Sequence, residues 1–135
     1  MRRGPNWIHG TDNNPMLKLA KDTNSKLSFL GEISHVYDSS GMLMNRQKVL
    51  DGFAVVWDIL GDAFMYSNDN CESIAPNLSL KDFFREKLSV SPLDEEAQNV
   101  VLELAEMWGG FIGDPFERQS LKWVWLEECL DGGKW

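Results

Sequence analysis

A chain of 135 residues is the size of one ordinary domain and long enough to bury a core. With 43% apolar and 25% charged residues it reads as globular, and no run approaches the ~20 apolar residues that a membrane-spanning helix needs. A net charge of -8 opposes the phosphates of nucleic acid and of anionic lipid surfaces and favours a cationic ligand.

Met1-Arg2-Arg3 leads into Gly4-Pro5-Asn6-Trp7 rather than an apolar stretch, so no secretory signal is expected. The first regular element follows at Asn14-Pro15. Asn14 has the side chain of an N-cap, and Pro15 suits the first helical position, where a missing N–H costs nothing. The helix carries Met16, Leu17, Leu19 and Ala20 and is expected to stop near Asn24. From Lys26 to Met44 the text "LSFL", "HVYD" and "GMLM" around Asp38-Ser39-Ser40-Gly41 predicts two or three short strands, with a hairpin at Val36 to Leu43.

The pattern turns helical from Asn45. Val49, Phe53, Val56, Trp57, Leu60 and Phe64 form one stripe of a helix reaching Tyr66, while Val55 and Ile59 lie off it, so the helix is apolar nearly all round. A helix of that kind belongs inside a larger body. Ser79 and Asp82 have the spacing of a capping box before Phe83, Phe84 and Leu88. Ser91-Pro92-Leu93-Asp94 signals the next start, and Ala97, Val100, Val101, Leu104, Ala105 and Trp108 give its apolar stripe. Gly109-Gly110 is expected to end it.

A last helix is expected from about Glu117 to Leu130. Leu121, Val124 and Trp125 occupy one side and Trp123, Leu126 and Leu130 another, and one buried face cannot take both sets. Surplus apolar surface of this kind suits a protein partner. The fold class predicted is mainly α with a small β-hairpin element.

Independent chemistry is sparse. Cys71 and Cys129 have no Cys or His neighbour at metal-ligand spacing, so they read as a reduced pair in an intracellular, cytoplasmic setting, with no metal site. The carboxylates of Glu127-Glu128 and of Asp94-Glu95-Glu96 are adjacent in sequence and diverge around a helix axis instead of facing one another across a cleft. His35 reads as a surface residue of a strand. Nucleophile elbow, His-Glu-x-x-His and phosphate-loop patterns are all missing from the sequence.

The opening text, "GPNWIHGTDNNPMLKLA", resembles a segment of flavin-dependent amine oxidases, above all the branch of polyamine oxidases and lysine-specific histone demethylases. In that family it leaves the first FAD-binding unit and leads into the substrate region. Gly4, Pro5, Asn6, Trp7, Ile8, His9, Gly10, Asn14 and Pro15 fit its pattern. A weaker likeness runs through "SLKDFF" and "SLKWVWLEE". The resemblance implies FAD as cofactor, with Gly4, Pro5, Asn6 and Trp7 beside the flavin and His9 in the pocket of a cationic amine or polyamine. A glycine lets backbone approach a flat ring, and a neutral histidine can accept a hydrogen bond from an ammonium.

The implied activity is that of an oxidoreductase: oxidation of a C–N bond, with hydride passing to FAD and hydrogen peroxide released. Residues 1–15 would be the flavin-side segment and residues 16–135 part of a mostly helical substrate domain. The Gly-x-Gly-x-x-Gly unit of relatives is not in this text, since Gly109, Gly110 and Gly113 follow a helix at the wrong spacing. The expectation is therefore a portion of such an oxidase that holds no catalytic residue and is not active alone. The alternative is a noncatalytic acidic helical module that binds another protein through faces such as Trp123, Leu126 and Leu130.

Overall fold

The computed structural model of the chain describes Ile8, residues 14–28 and residues 35–130. Contacts divide these into two units, one whose described helix lies within residues 14–28 and one spanning Ile33–Leu130. The first contains α1, Pro15–Asp22. Asn14 Oδ1 accepts the Met16 amide at 2.9 Å, and Pro15 opens the helix as its sequence predicts. Lys18 and Asp22 pair one turn apart at 2.9 Å, the Thr23 amide donates to Leu19 O, and Asn24 turns into the left-handed region at φ 51°.

The second unit begins with a turn. Tyr37 and Leu43 form one antiparallel pair, and Met44 N donates to Val36 O at 2.9 Å. The expected hairpin is thus reduced to a single bridge, and the described residues hold no strand. The reason is burial: Tyr37, Met42 and Leu43 are all more than half exposed, so no apolar face drives the ladder onward. The strand text at 29–34 lies outside the described residues. His35 is exposed, as its sequence suggests, but sits outside any strand.

α2, Arg46–Asn70, is the organising helix and runs a turn past its expected end at Tyr66. Asn45 Oδ1 caps it by accepting the amides of Gln47 and Lys48 at 2.9 and 3.2 Å. α2 packs on α3, Leu80–Ser89, on α4, Glu95–Ile112, and on α5, Trp125–Leu130. That explains its broad apolar circumference. Val49, Val56, Ile59, Leu60 and Ala63 are buried, and Phe53, Val55 and Phe64 pack at the margin. Trp57 departs from expectation: it lies 53% exposed instead of in the core.

α3 starts where its sequence places it. Ser79 Oγ accepts the Asp82 amide at 3.1 Å, and Asp82 Oδ2 accepts the Ser79 amide at 3.0 Å. The Ser79 hydroxyl, which donates to Asp82 Oδ2 at 2.7 Å, and then the Ser79 amide hold the Asp82 carboxyl below its ordinary value. Phe84 and Leu80 are fully enclosed, with Phe84 edge-on to Phe116 at 5.0 Å between ring centres.

α4 differs from expectation at both ends. Pro92 disfavours helical geometry at Ser91 and lies outside the helix, and Asp94 supplies the cap by accepting the Ala97 amide at 2.8 Å. Gly109-Gly110 does not stop it, because Gly109 is a site of close approach: a Cβ there would lie 3.0 Å from Phe116 N and 3.1 Å from Asp114 O. The stop is Gly113, at φ 90° with its amide on Gly109 O.

The expected helix from Glu117 to Leu130 is broken into a 3-10 turn, Phe116–Arg118, a bridge from Ser120 to Ser79, and α5. Backbone bonds from Leu80 N to Gln119 O and from Leu121 N to Leu78 O hold the bridge. Breaking the helix resolves the conflict between its two apolar sets. Leu121 and Val124 turn inward to the core, whereas Trp123 and Leu126 remain 52% and 44% exposed.

Phe84→Ala should lower the unfolding free energy by about 3–5 kcal/mol through the cavity it leaves, and Ser79→Ala by about 1 kcal/mol through the lost cap. Urea unfolding followed by circular dichroism measures both. Equal losses would contradict the central place given to Phe84.

Candidate functional site

The five residues that the sequence nominates, Gly4, Pro5, Asn6, Trp7 and His9, lie outside the described residues. Within the same text Ile8 is half-buried, and Asn14 and Pro15 begin α1. The motif therefore runs directly into a capped helix.

Within residues 35–130 two shallow depressions flank α4. The first, about 410 Å³, lies at its C-terminal end between Glu106, Gly109, Gly110, Gly113, Asp114 and Pro115. Small residues open it, because glycines leave the helix end bare of side chains. The second, about 270 Å³, lies between the Tyr37–Leu43 turn and α4, with Asp38, Met44, Glu103 and Glu106 on its walls. Glu106 borders both. It pairs with Lys81 of α3 at 2.5 Å, and Lys81 also lies 3.8 Å from Glu117. One lysine thus faces two carboxylates, and the balance at this end of the helix is negative.

Asp38 is built into its turn. Its Oδ1 accepts the Ser40 hydroxyl at 2.6 Å and the amides of Ser40 and Met42 at 2.9 Å each. The Ser40 hydroxyl, then the Met42 amide, hold its carboxyl below the ordinary range. The charge is engaged in shaping the turn and is not aimed at a ligand.

The chemistry available here is limited. The described residues hold no group of three His, Cys, Asp or Glu able to bind a metal, and no helix among them is long and apolar enough to cross a membrane. Neither depression suits the pyrophosphate of FAD, since Glu103, Glu106 and Asp38 outweigh the cations beside them, Lys81 on Glu106 and Arg118 on Asp114 at 3.1 Å. They suit a cation better. The paired carboxylates Asp94, Glu95 and Glu96 cap α4 or face solvent, and Glu96 pairs with Lys48, in keeping with their reading as cap and surface residues.

A feature the sequence reading missed is an aromatic group between α2 and α4. Trp108 meets Trp57 and Phe64 edge-on at 6.3 and 5.9 Å and stacks on Phe111 at 5.6 Å. Trp57 and Phe111 are 53% and 63% exposed. The Nε1 of Trp108 is buried with no hydrogen-bond partner among the described residues. Asp58, next to Trp57 in the sequence, is the signal that Trp57 sits at the outer margin of its apolar stripe.

Comparison with protein families, curated proteins and solved structures finds no match to this chain.

Folding lowers the Asp38 pKa, so its contribution to the turn is present above the ordinary aspartate value of 3.8 and fades as pH falls through the lowered value. The protection of the Ser40 and Met42 amides, taken against their intrinsic exchange rates at each pH, should therefore fall on acidification. Asp38→Ala should lower the same protection at neutral pH, relative to the wild-type chain at that pH. Unchanged protection in the variant would remove Asp38 as the holder of the turn.

Proposed function

We propose that this chain supplies the flavin-side segment and helical substrate-domain part of an FAD-dependent amine oxidase acting on a cationic amine or polyamine. The observation that carries the reading is the run Gly4-Pro5-Asn6-Trp7-Ile8-His9-Gly10 followed by Asn14-Pro15. Two features support it. Asn14 and Pro15 cap and open a helix, so the run ends at a helix start. The net charge of -8 draws a cationic amine and not an anionic substrate.

Flavin contact in this reading falls to Gly4, Pro5, Asn6 and Trp7, as the family resemblance of the opening run implies. Trp7 supplies an apolar wall, and His9 accepts a hydrogen bond from the amine. The redox chemistry belongs to FAD: oxidation of a C–N bond and release of hydrogen peroxide. No residue of the chain is assigned as catalytic.

A second reading, a noncatalytic acidic interaction module, is favoured by one observation. Trp123 and Leu126 stay largely exposed at the end of the fold instead of joining the core.

Titrating the chain with FAD separates the two. Saturable quenching of flavin fluorescence is expected, weakened roughly three- to tenfold by Trp7→Ala, which removes an aromatic contact worth about 0.5–1.5 kcal/mol. His9→Ala should leave the quench intact and remove its response to added spermidine. A flat titration with a folded chain counts against the oxidase reading and in favour of the interaction module.

A further inference from the structure

The exposed side of α2 carries a pattern that neither the core nor the flavin reading uses. Leu50, Ala54, Trp57, Gly61 and Met65 recur four, three, four and four residues apart and so share one face of the helix. Leu50 is 45%, Trp57 53% and Met65 61% exposed. None of these positions carries a charge. An uncharged stripe this long, more than four helical turns, is unusual for a surface that only meets water.

Its margin is as regular as the stripe. Asp51, Asp58, Asp62 and Asp69 follow at offsets of 0, 7, 11 and 18, which sets all four carboxylates along one flank of α2. Asp62 is paired with Lys87 of α3 at 2.7 Å, and Asp51 accepts a bond from Gln47 at 2.8 Å. Asp58 and Asp69 are exposed. We infer that this face docks a basic amphipathic helix of another protein, its apolar side on the Trp57 stripe and its Lys or Arg side chains over the aspartate row.

Charge decides the occupant. A second copy would bring another -8, and two α2 helices packed antiparallel about a twofold axis would set their aspartate rows side by side. An anionic membrane surface meets the same repulsion. A cationic helix satisfies both parts of the pattern, because its apolar residues at three- and four-residue spacing match the stripe and its flanking charges match the row. This inference stands apart from the flavin reading. A flat FAD titration leaves it untouched, and its own failure leaves the opening motif unaffected.

The probe is a dye-labelled synthetic helix of about five turns, roughly 18 residues, with leucines at three- and four-residue spacing and lysines along one flank. Its counterpart carries glutamate in place of each lysine. Fluorescence anisotropy against the 135-residue chain should show saturable binding of the lysine peptide that weakens with salt. Trp57→Ala should weaken binding about tenfold or more, as expected for a central aromatic anchor. Met65→Lys, an exposed change that spares the core, should do the same. The double change Asp58→Asn with Asp69→Asn should flatten the salt dependence. Equal affinity for the two peptides, or no binding by a folded chain, overturns the inference. So does a dimer in sedimentation that Trp57→Ala dissolves, since the stripe would then be covered by a second copy.

Discussion

A 25-residue helix that is apolar on most of its circumference cannot be satisfied by one neighbour, and the need to bury α2 arranges everything around it. Val49 at its first turns and Ser67 near its last are both buried, so the contact runs along almost its whole length. α4 takes the largest share. They approach closely at Gly52, where a Cβ would stand 2.6 Å from Leu104 Cδ1. Close packing at that point lets Leu104, Val101 and Ala105 sink into the core beside Val56 and Leu60. α3 and α5 then pack on α2 as well, and the face of Leu50, Trp57 and Met65 stays exposed.

What could be read from the sequence divides by range. Caps are local, because an Asn, Ser or Asp side chain reaches an amide two or three residues on, and the caps at Asn14 and Ser79 are where the residues predict them. Stops are not local in the same way. Gly109 looks like a helix terminator, but its missing Cβ serves the passage of residues 114–116 close beside it, a requirement that only the folded chain displays. The C-terminal stretch showed the limit from the other side. Two incompatible apolar sets were visible there, but not that a bridge to Ser79 would break the helix and divide them.

The candidate site was legible only as text. A run such as Gly4-Pro5-Asn6-Trp7 suggests chemistry through its likeness to other sequences, and the described residues 35–130 build a separate character from their own packing: shallow, carboxylate-edged depressions at α4 and an aromatic seam with α2. Periodicity placed Trp57 with Val56 and Leu60 because an apolar stripe marks no difference between a face turned to the core and one turned outward. The aspartates that follow it by position do mark that difference. The row of Asp51, Asp58, Asp62 and Asp69 gives α2 an acidic flank of its own.

The bridge between Ser79 and Ser120 orders events in time as well as in space. Its two backbone bonds, from Leu80 N and Leu121 N, close a loop that contains all of α3 and α4. A chain made from its N-terminus cannot close that loop until residue 121 has left the ribosome. α2, α3 and α4 emerge first, with the α2–α4 contact at Gly52 free to form, while Leu80 and Phe84 still await Phe116 and Leu121. The corner of the core around Leu80 and Phe84 is therefore completed only when residues 116–121 fold onto the helices that precede them.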